Sequence, residues 1–206
     1  MKITALAFSA LSLLLTSAFA TPVDLSSGKI TLQLNIDLNQ DSISTNAIGG
    51  EKDLFTFTSS HAVHATPDQV VNDTTPTGGI AGASGTFHFG INSATNSVCY
   101  NITLHNFAGE FSSPAVTATH IHEALVGASG PPRIAFPNPQ VIGGITSTVR
   151  QSVGCVTGPF VTGVIVDGKD TGEGFHVHQI EADPKKFMSD THSSVALAGA
   201  VRGQLA

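Results

Sequence analysis

Between Gly85 and His105 apolar and polar residues take turns in two short runs, Gly85 to Gly90 and Ser97 to His105, with a turn at Asn92 to Asn96 between them. Successive side chains of a strand point to opposite faces, so a period of two commits these runs to half-buried strands. The spacing predicts a hairpin with a longer loop. The same alternation recurs at Lys29 to Ile36, at Leu54 to Thr58 with His61 to Thr66 continuing as far as Pro67, and at Ala115 to His122. Val141 to Val149 is weakly extended, Gly158 to Val164 reads as a short strand, and His192 to Leu205 is extended with bends at Gly199 and Gly203. Asn39 to Gly50, Asn72 to Gly85 and Asn106 to Pro114 lack periodicity and read as loops, and Asp167 to Gly174 as a polar turn. One short helix is expected near the C-terminus, at Val177 to Phe187, where Pro184 shortens or breaks it. Many short strands and one poor helix predict an all-β fold, an antiparallel β-sandwich or barrel.

The first twenty residues read as a signal peptide: Lys2, an apolar run from Leu6 to Leu15, and Ala18-Phe19-Ala20 before Thr21. The expected organisation is a signal peptide at 1–20, an N-terminal strand and loop extension at 21–52, and one domain at 53–206. The apolar run is short for a bilayer, and no later segment is apolar enough for a membrane span. The chain is therefore expected to be secreted and extracellular. An even pair of cysteines, Cys99 and Cys155, fits a disulfide in an exported chain, with two buried free thiols as the alternative. Asn72-Asp73-Thr74 and Asn101-Ile102-Thr103 are acceptor sequons for glycosylation at Asn72 and Asn101. Without Lys2, eight Lys and Arg face fifteen Asp and Glu, and no basic cluster exceeds Lys185-Lys186, so nucleic acid is not an expected partner.

Catalytic templates fail on spacing, and no catalytic residues are assigned. His122-Glu123 opens a zincin pattern, but Val126 stands where its second histidine belongs. Ser84 and Ser129 sit among glycines without forming a nucleophile elbow, and no Gly-Lys-Ser/Thr loop follows a strand. Glu173, Glu181 and Asp183 cluster where a polar turn and a helix start explain them.

Histidine remains. His120 and His122 share one face of a strand, about 6.5 to 7 Å apart along it, with Ile121 pointing into the core. Thr117 to Pro139 carries this pair into a Gly/Pro-rich loop, so the imidazoles can converge on one ion. Neutral imidazoles suit copper or zinc. His176 and His178 repeat the spacing at the helix start as a weaker candidate pair. In both cases a solvated polar face or a hydrogen-bonded loop support is the alternative.

The run Ala118-Thr119-His120-Ile121-His122, followed by Gly127-Ala128-Ser129-Gly130-Pro131-Pro132, resembles the CHRD (chordin-repeat) domain family in its fungal secreted form. Ile180 to Phe187, Thr191-His192-Ser193 and Gly199-Ala200-Val201-Arg202-Gly203-Gln204-Leu205 resemble the closing pattern of that family. The likeness spans Phe55 to Leu205. It departs at Met188-Ser189-Asp190, where the family has an aromatic and aliphatic run, and at Leu197, where it has proline. The resemblance implies an extracellular immunoglobulin- or superoxide-dismutase-like β-sandwich, and the metal site expected on the chain's own histidines is His120, His122 and His192. The histidine pair and its loop are also similar, by analogy alone, to the copper strand of copper/zinc superoxide dismutases. Three functions follow. One is a secreted binding or structural module with copper or zinc. Another is a copper-dependent redox enzyme, against which no Asp-bridged second histidine cluster is recognisable. The third is a metal-free protein binding an unknown extracellular or cell-wall partner.

Overall fold

The computed structural model describes residues 56–144 and 147–206. The signal peptide, the alternating stretch at 29–36, the polar stretch at 39–50 and residues 54–55 lie outside the described residues. Among the described residues thirteen strands run in chain order: β1 (Ser59–Ala65), β2 (Val71–Asn72), β3 (Thr75–Pro76), β4 (Ser84–Asn92), β5 (Ser97–His105), β6 (Thr119–Glu123), β7 (Pro132–Phe136), β8 (Gln140–Val141), β9 (Val149–Thr157), β10 (Ile165–Val166), β11 (Lys169–Asp170), β12 (Phe187–Ser193) and β13 (Ala196–Gln204). Helix α1 (His178–Ala182) precedes β12, and a 3-10 turn at Pro184–Lys186 follows the helix, as the position of Pro184 requires. No helix among the described residues is long and apolar enough to cross a membrane.

Two antiparallel sheets form a sandwich. The five-stranded sheet has the order β1-β4-β5-β9-β8 and the four-stranded sheet the order β13-β12-β6-β7. Alternation dictates their inner faces: Phe87, Phe89 and Ile102 of one sheet and Ile121, Ile134 and Phe136 of the other are each at most 2 % exposed. Rings from the two sheets meet in the middle, Phe89 against Phe136 at 5.4 Å between centroids and Tyr100 against Phe136 at 4.9 Å. Burying each such side chain contributes about 1.5–3 kcal/mol. The sheets join along one seam, where the Thr66 amide donates to the Arg202 carbonyl at 2.9 Å and the Arg202 amide returns the bond to Thr66 at 3.2 Å.

The expected hairpin is present, with β4 and β5 paired from Ser84–His105 to Asn92–Ser97. Several other segments differ from the sequence reading. The Gly/Pro-rich stretch holds β7, because Pro132, Ile134 and Phe136 alternate inward and proline is tolerated at the start of an edge strand. The weakly extended stretch Val141 to Val149 meets strands only at its ends, where β8 closes at Val141 and β9 opens at Val149, so β9 lies beyond it. The inward row of β9 is Arg150, Ser152, Gly154 and Val156, and Tyr100 fills the space at Gly154, where a Cβ would stand 2.8 Å from the Tyr100 hydroxyl. Gly158 to Val164 is not a strand; the short hairpin of β10 and β11 follows it instead. Ala115 to Ala118 bends before β6 begins at Thr119, and the stretch read as a loop from Asn72 to Gly85 opens with the two-residue pairing of β2 and β3. Cys99 and Cys155 face each other across β5 and β9 and form a disulfide on the outward side of the five-stranded sheet.

Candidate metal centre

Strands β6 and β12 lie side by side with His120 opposite Asp190 and His122 opposite Met188. The His192 amide donates to the Ala118 carbonyl at 2.8 Å, which extends the same register. With a period of two, His120, His122, Asp190 and His192 share one face, while Ile121, Ser189 and Thr191 turn toward the core. That face looks away from the sandwich, yet His120 is 1 % exposed and Asp190 2 %. The loop after β6 runs beside it, with the Gly130 carbonyl 2.8 Å from His122 Nδ1. Arg202 donates to the Leu125 carbonyl at 2.9 Å and Gln204 to the Ala124 carbonyl at 2.8 Å, holding that loop down.

Each imidazole is fixed by a backbone carbonyl from a different segment: the chain before β6, the loop after it, and β13. His120 Nε2–H donates to Thr117 at 2.7 Å, His122 Nδ1–H to Gly130 at 2.8 Å and His192 Nδ1–H to Leu197 at 2.9 Å. A carbonyl only accepts, so in the neutral rings the remaining nitrogens carry lone pairs. Those nitrogens converge on Asp190: His120 Nδ1 lies 3.6 Å and His122 Nε2 3.2 Å from Oδ1, and His192 Nε2 3.2 Å from Oδ2. The Gly130 anchor needs glycine, because a Cβ there would lie 1.9 Å from the Glu123 carbonyl oxygen.

Protons do not satisfy this arrangement. Burial opposes protonation of His192, but the Asp190 carboxylate outweighs it and raises the ring's pKa to about 9. Burial lowers His120 from its ordinary value despite the same carboxylate. Burial also resists ionisation of Asp190, yet the facing histidines hold its pKa well below the usual carboxylate range. The second proton of His192, on Nε2, faces Asp190 Oδ2 at 3.2 Å. His120 Nδ1, His122 Nε2 and Asp190 Oδ1 are left buried without a hydrogen-bond partner. Orphaned acceptors of this kind cost free energy unless a cation meets them. One ligand atom from each of the four residues lies within 4.8 Å of every other. A tetrahedron of bonds about 2.0–2.1 Å long has edges of about 3.4 Å, so the observed 3.2 to 3.6 Å contacts with Asp190 are close to ligand spacing.

The structure thus brings together His120, His122 and His192 and adds Asp190, which sequence reasoning passed over as a family departure. The signal was Asp190-Thr191-His192, the same i, i+2 spacing as His120 and His122, on a second strand. His176 and His178 are not part of the group. They stand at the start of α1, partly to fully exposed, with their Nδ1 atoms 2.7 Å apart. Asn72 is exposed in the β2–β3 hairpin, and Asn101 is half-buried on the outward face of β5.

No curated protein and no solved structure matches the chain. The family profile described as CHRD domain matches residues 61–205, from within β1 through β13, and so takes in both sheets and all four converging side chains. A CHRD domain is a binding or structural module. Spanning well over half of the 206 residues, that match establishes that the chain belongs to the CHRD domain family.

Proposed function

We propose that this protein is a secreted CHRD binding module whose four-stranded sheet holds one zinc ion on His120, His122, Asp190 and His192. The observation that carries the reading is the set of three orphaned acceptors, His120 Nδ1, His122 Nε2 and Asp190 Oδ1, facing one another in a buried space. Three imidazoles and one carboxylate are a fitting donor set for zinc, and four protein ligands leave no open coordination position, the mark of structural sites. Bound there, zinc would supply charge neutralisation and a crosslink between β6 and β12. His120, His122 and His192 are already oriented by their carbonyl partners, which is how outer contacts hold metal ligands in place.

A redox copper centre needs a geometry that accommodates both oxidation states and an open position for substrate. The closed quartet favours zinc. The leader-like first twenty residues, the two sequons and the disulfide support secretion, and an extracellular or cell-wall partner is the expected target.

The test is metal analysis of protein purified from its own secretion without added ions, followed by calorimetric titration. About one equivalent of zinc is expected in the wild type, with uptake lost in a His120→Ala/His122→Ala variant. Equal, weak uptake by both would remove the metal centre. Superoxide decay catalysed by the copper-loaded protein would move the assignment to a redox enzyme.

A further inference from the structure

The outward face of the five-stranded sheet is unlike the rest of this acidic surface. The outward positions of β1, β4, β5 and β9 carry no Asp, Glu, Lys or Arg. They present neutral hydrogen-bonding groups, among them Thr86, His88, Thr103 and Gln151. One cross-strand row runs Ala62, His88, Asn101, Val153, and Val153 is 64 % exposed at its end. Directly opposed residues of neighbouring strands stand about 4.5–5.5 Å apart, so a group on Asn101 is within reach of both His88 and Val153.

Asn101 occupies the middle of this face and heads the sequon Asn101-Ile102-Thr103. Ile102 is fully buried, so Asn101 and Thr103 project together to the outside. Asn101 Oδ1 accepts a hydrogen bond from Gln151 Nε2 at 3.1 Å. Its Nδ2, the atom that bears a sugar in N-glycosylation, has no protein partner among the described residues.

We propose that Asn101 carries an N-linked glycan whose first sugars lie across this uncharged face, over Val153 and beside His88. A sugar ring offers hydroxyls to the neutral donors and acceptors and an apolar face to Val153, and it brings no charge needing a counter-ion. Transfer from a lipid pyrophosphate-linked oligosaccharide forms the bond from the anomeric carbon to Nδ2. It breaks the bond to the pyrophosphate, and the Nδ2 proton leaves with that group. The assignment rests on the secretory part of the proposed function and is independent of the metal centre.

The experiment uses full-length protein secreted by a yeast host. Enzymatic deglycosylation in heavy-oxygen water converts a glycosylated asparagine to labelled aspartate, read by peptide mass spectrometry. Label at position 101 is expected. Asn72, exposed in the β2–β3 turn, is the control. A glycan on Asn72 alone overturns the assignment and leaves the secretory reading standing; a glycan on neither overturns both. Coverage is read by acylating histidines with diethyl pyrocarbonate before and after glycan removal from the folded protein. His88 labelling is expected to rise several-fold while His178 on α1 stays constant, and unchanged His88 labelling overturns the placement. Thr103→Ala reproduces the exposed state, and Thr103→Ser restores the glycan.

Discussion

His120 and Asp190 face each other across β6 and β12, 70 residues apart in sequence, with Nδ1 3.6 Å from Oδ1 and neither atom hydrogen-bonded. The carboxylate is the one negative ligand in the quartet. Asp190→Asn keeps its shape and removes the charge, so zinc affinity is expected to fall by about 100-fold or more, roughly 3 kcal/mol of binding free energy. Competition with a chelating indicator measures it. An unchanged affinity would show that Asp190 is not a ligand.

The proton on His192 makes loading pH-dependent. Its pKa of about 9 means that zinc uptake at neutral pH must expel about one proton. Apparent affinity should therefore rise by about tenfold per pH unit up to that value and then level off. Titration in buffers of different ionisation enthalpy counts the proton directly.

The same ring gives the metal-free protein its own pH signature. A histidine whose folded pKa is raised contributes stability that is fully present below the ordinary value of about 6.5 and is lost as pH climbs through the folded value. For His192 that window ends at about 9. The melting temperature of the metal-free protein should fall across it, whereas that of the zinc-loaded protein should hold. Parallel curves for the two forms would contradict the assignment.

Gly130→Ala puts a methyl group where the Glu123 carbonyl already stands, at 1.9 Å. The loop must move and take the Gly130 carbonyl away from His122. A loss of about 2 kcal/mol or more in unfolding free energy is expected, with zinc affinity reduced by about 10-fold or more. Denaturant unfolding and metal titration read the two effects separately.

The disulfide joins residues 56 apart on the sheet that lacks the histidine quartet. In the chain-entropy account a loop of that length stabilises by about 4 kcal/mol. Cys99→Ala/Cys155→Ala should lower unfolding free energy by about that amount and leave zinc stoichiometry at one. Loss of metal uptake by a folded variant would mean that the two sheets are coupled in a way the site geometry does not require.

The sandwich was legible because β4 and β5 alternate openly. Strand β7 was hidden by the prolines around it, and β9 by an inward row of Arg150, Ser152, Gly154 and Val156 that carries no apolar alternation. His120 and His122 could be read as a pair because a strand places i and i+2 together without any knowledge of its neighbours. Asp190 could not, since its partnership with His120 depends on the register between two strands far apart in the chain. The same spacing at His176 and His178 shows the limit of the pattern: there α1 begins, and among the described residues no third ligand joins the two rings.

The three imidazoles are braced by Thr117, Gly130 and Leu197, which belong to three separate segments, the chain before β6, the loop after it and β13. A receptor assembled before its guest arrives has little ordering left to do, so capture should proceed at close to the encounter rate and release should govern how long the ion stays. Rings clamped at that spacing also reject by size: calcium, which seeks six to eight oxygens at 2.3–2.6 Å, finds too few donors and too little room. Selectivity would then come from the rigidity of the surrounding chain as much as from the identity of the four side chains.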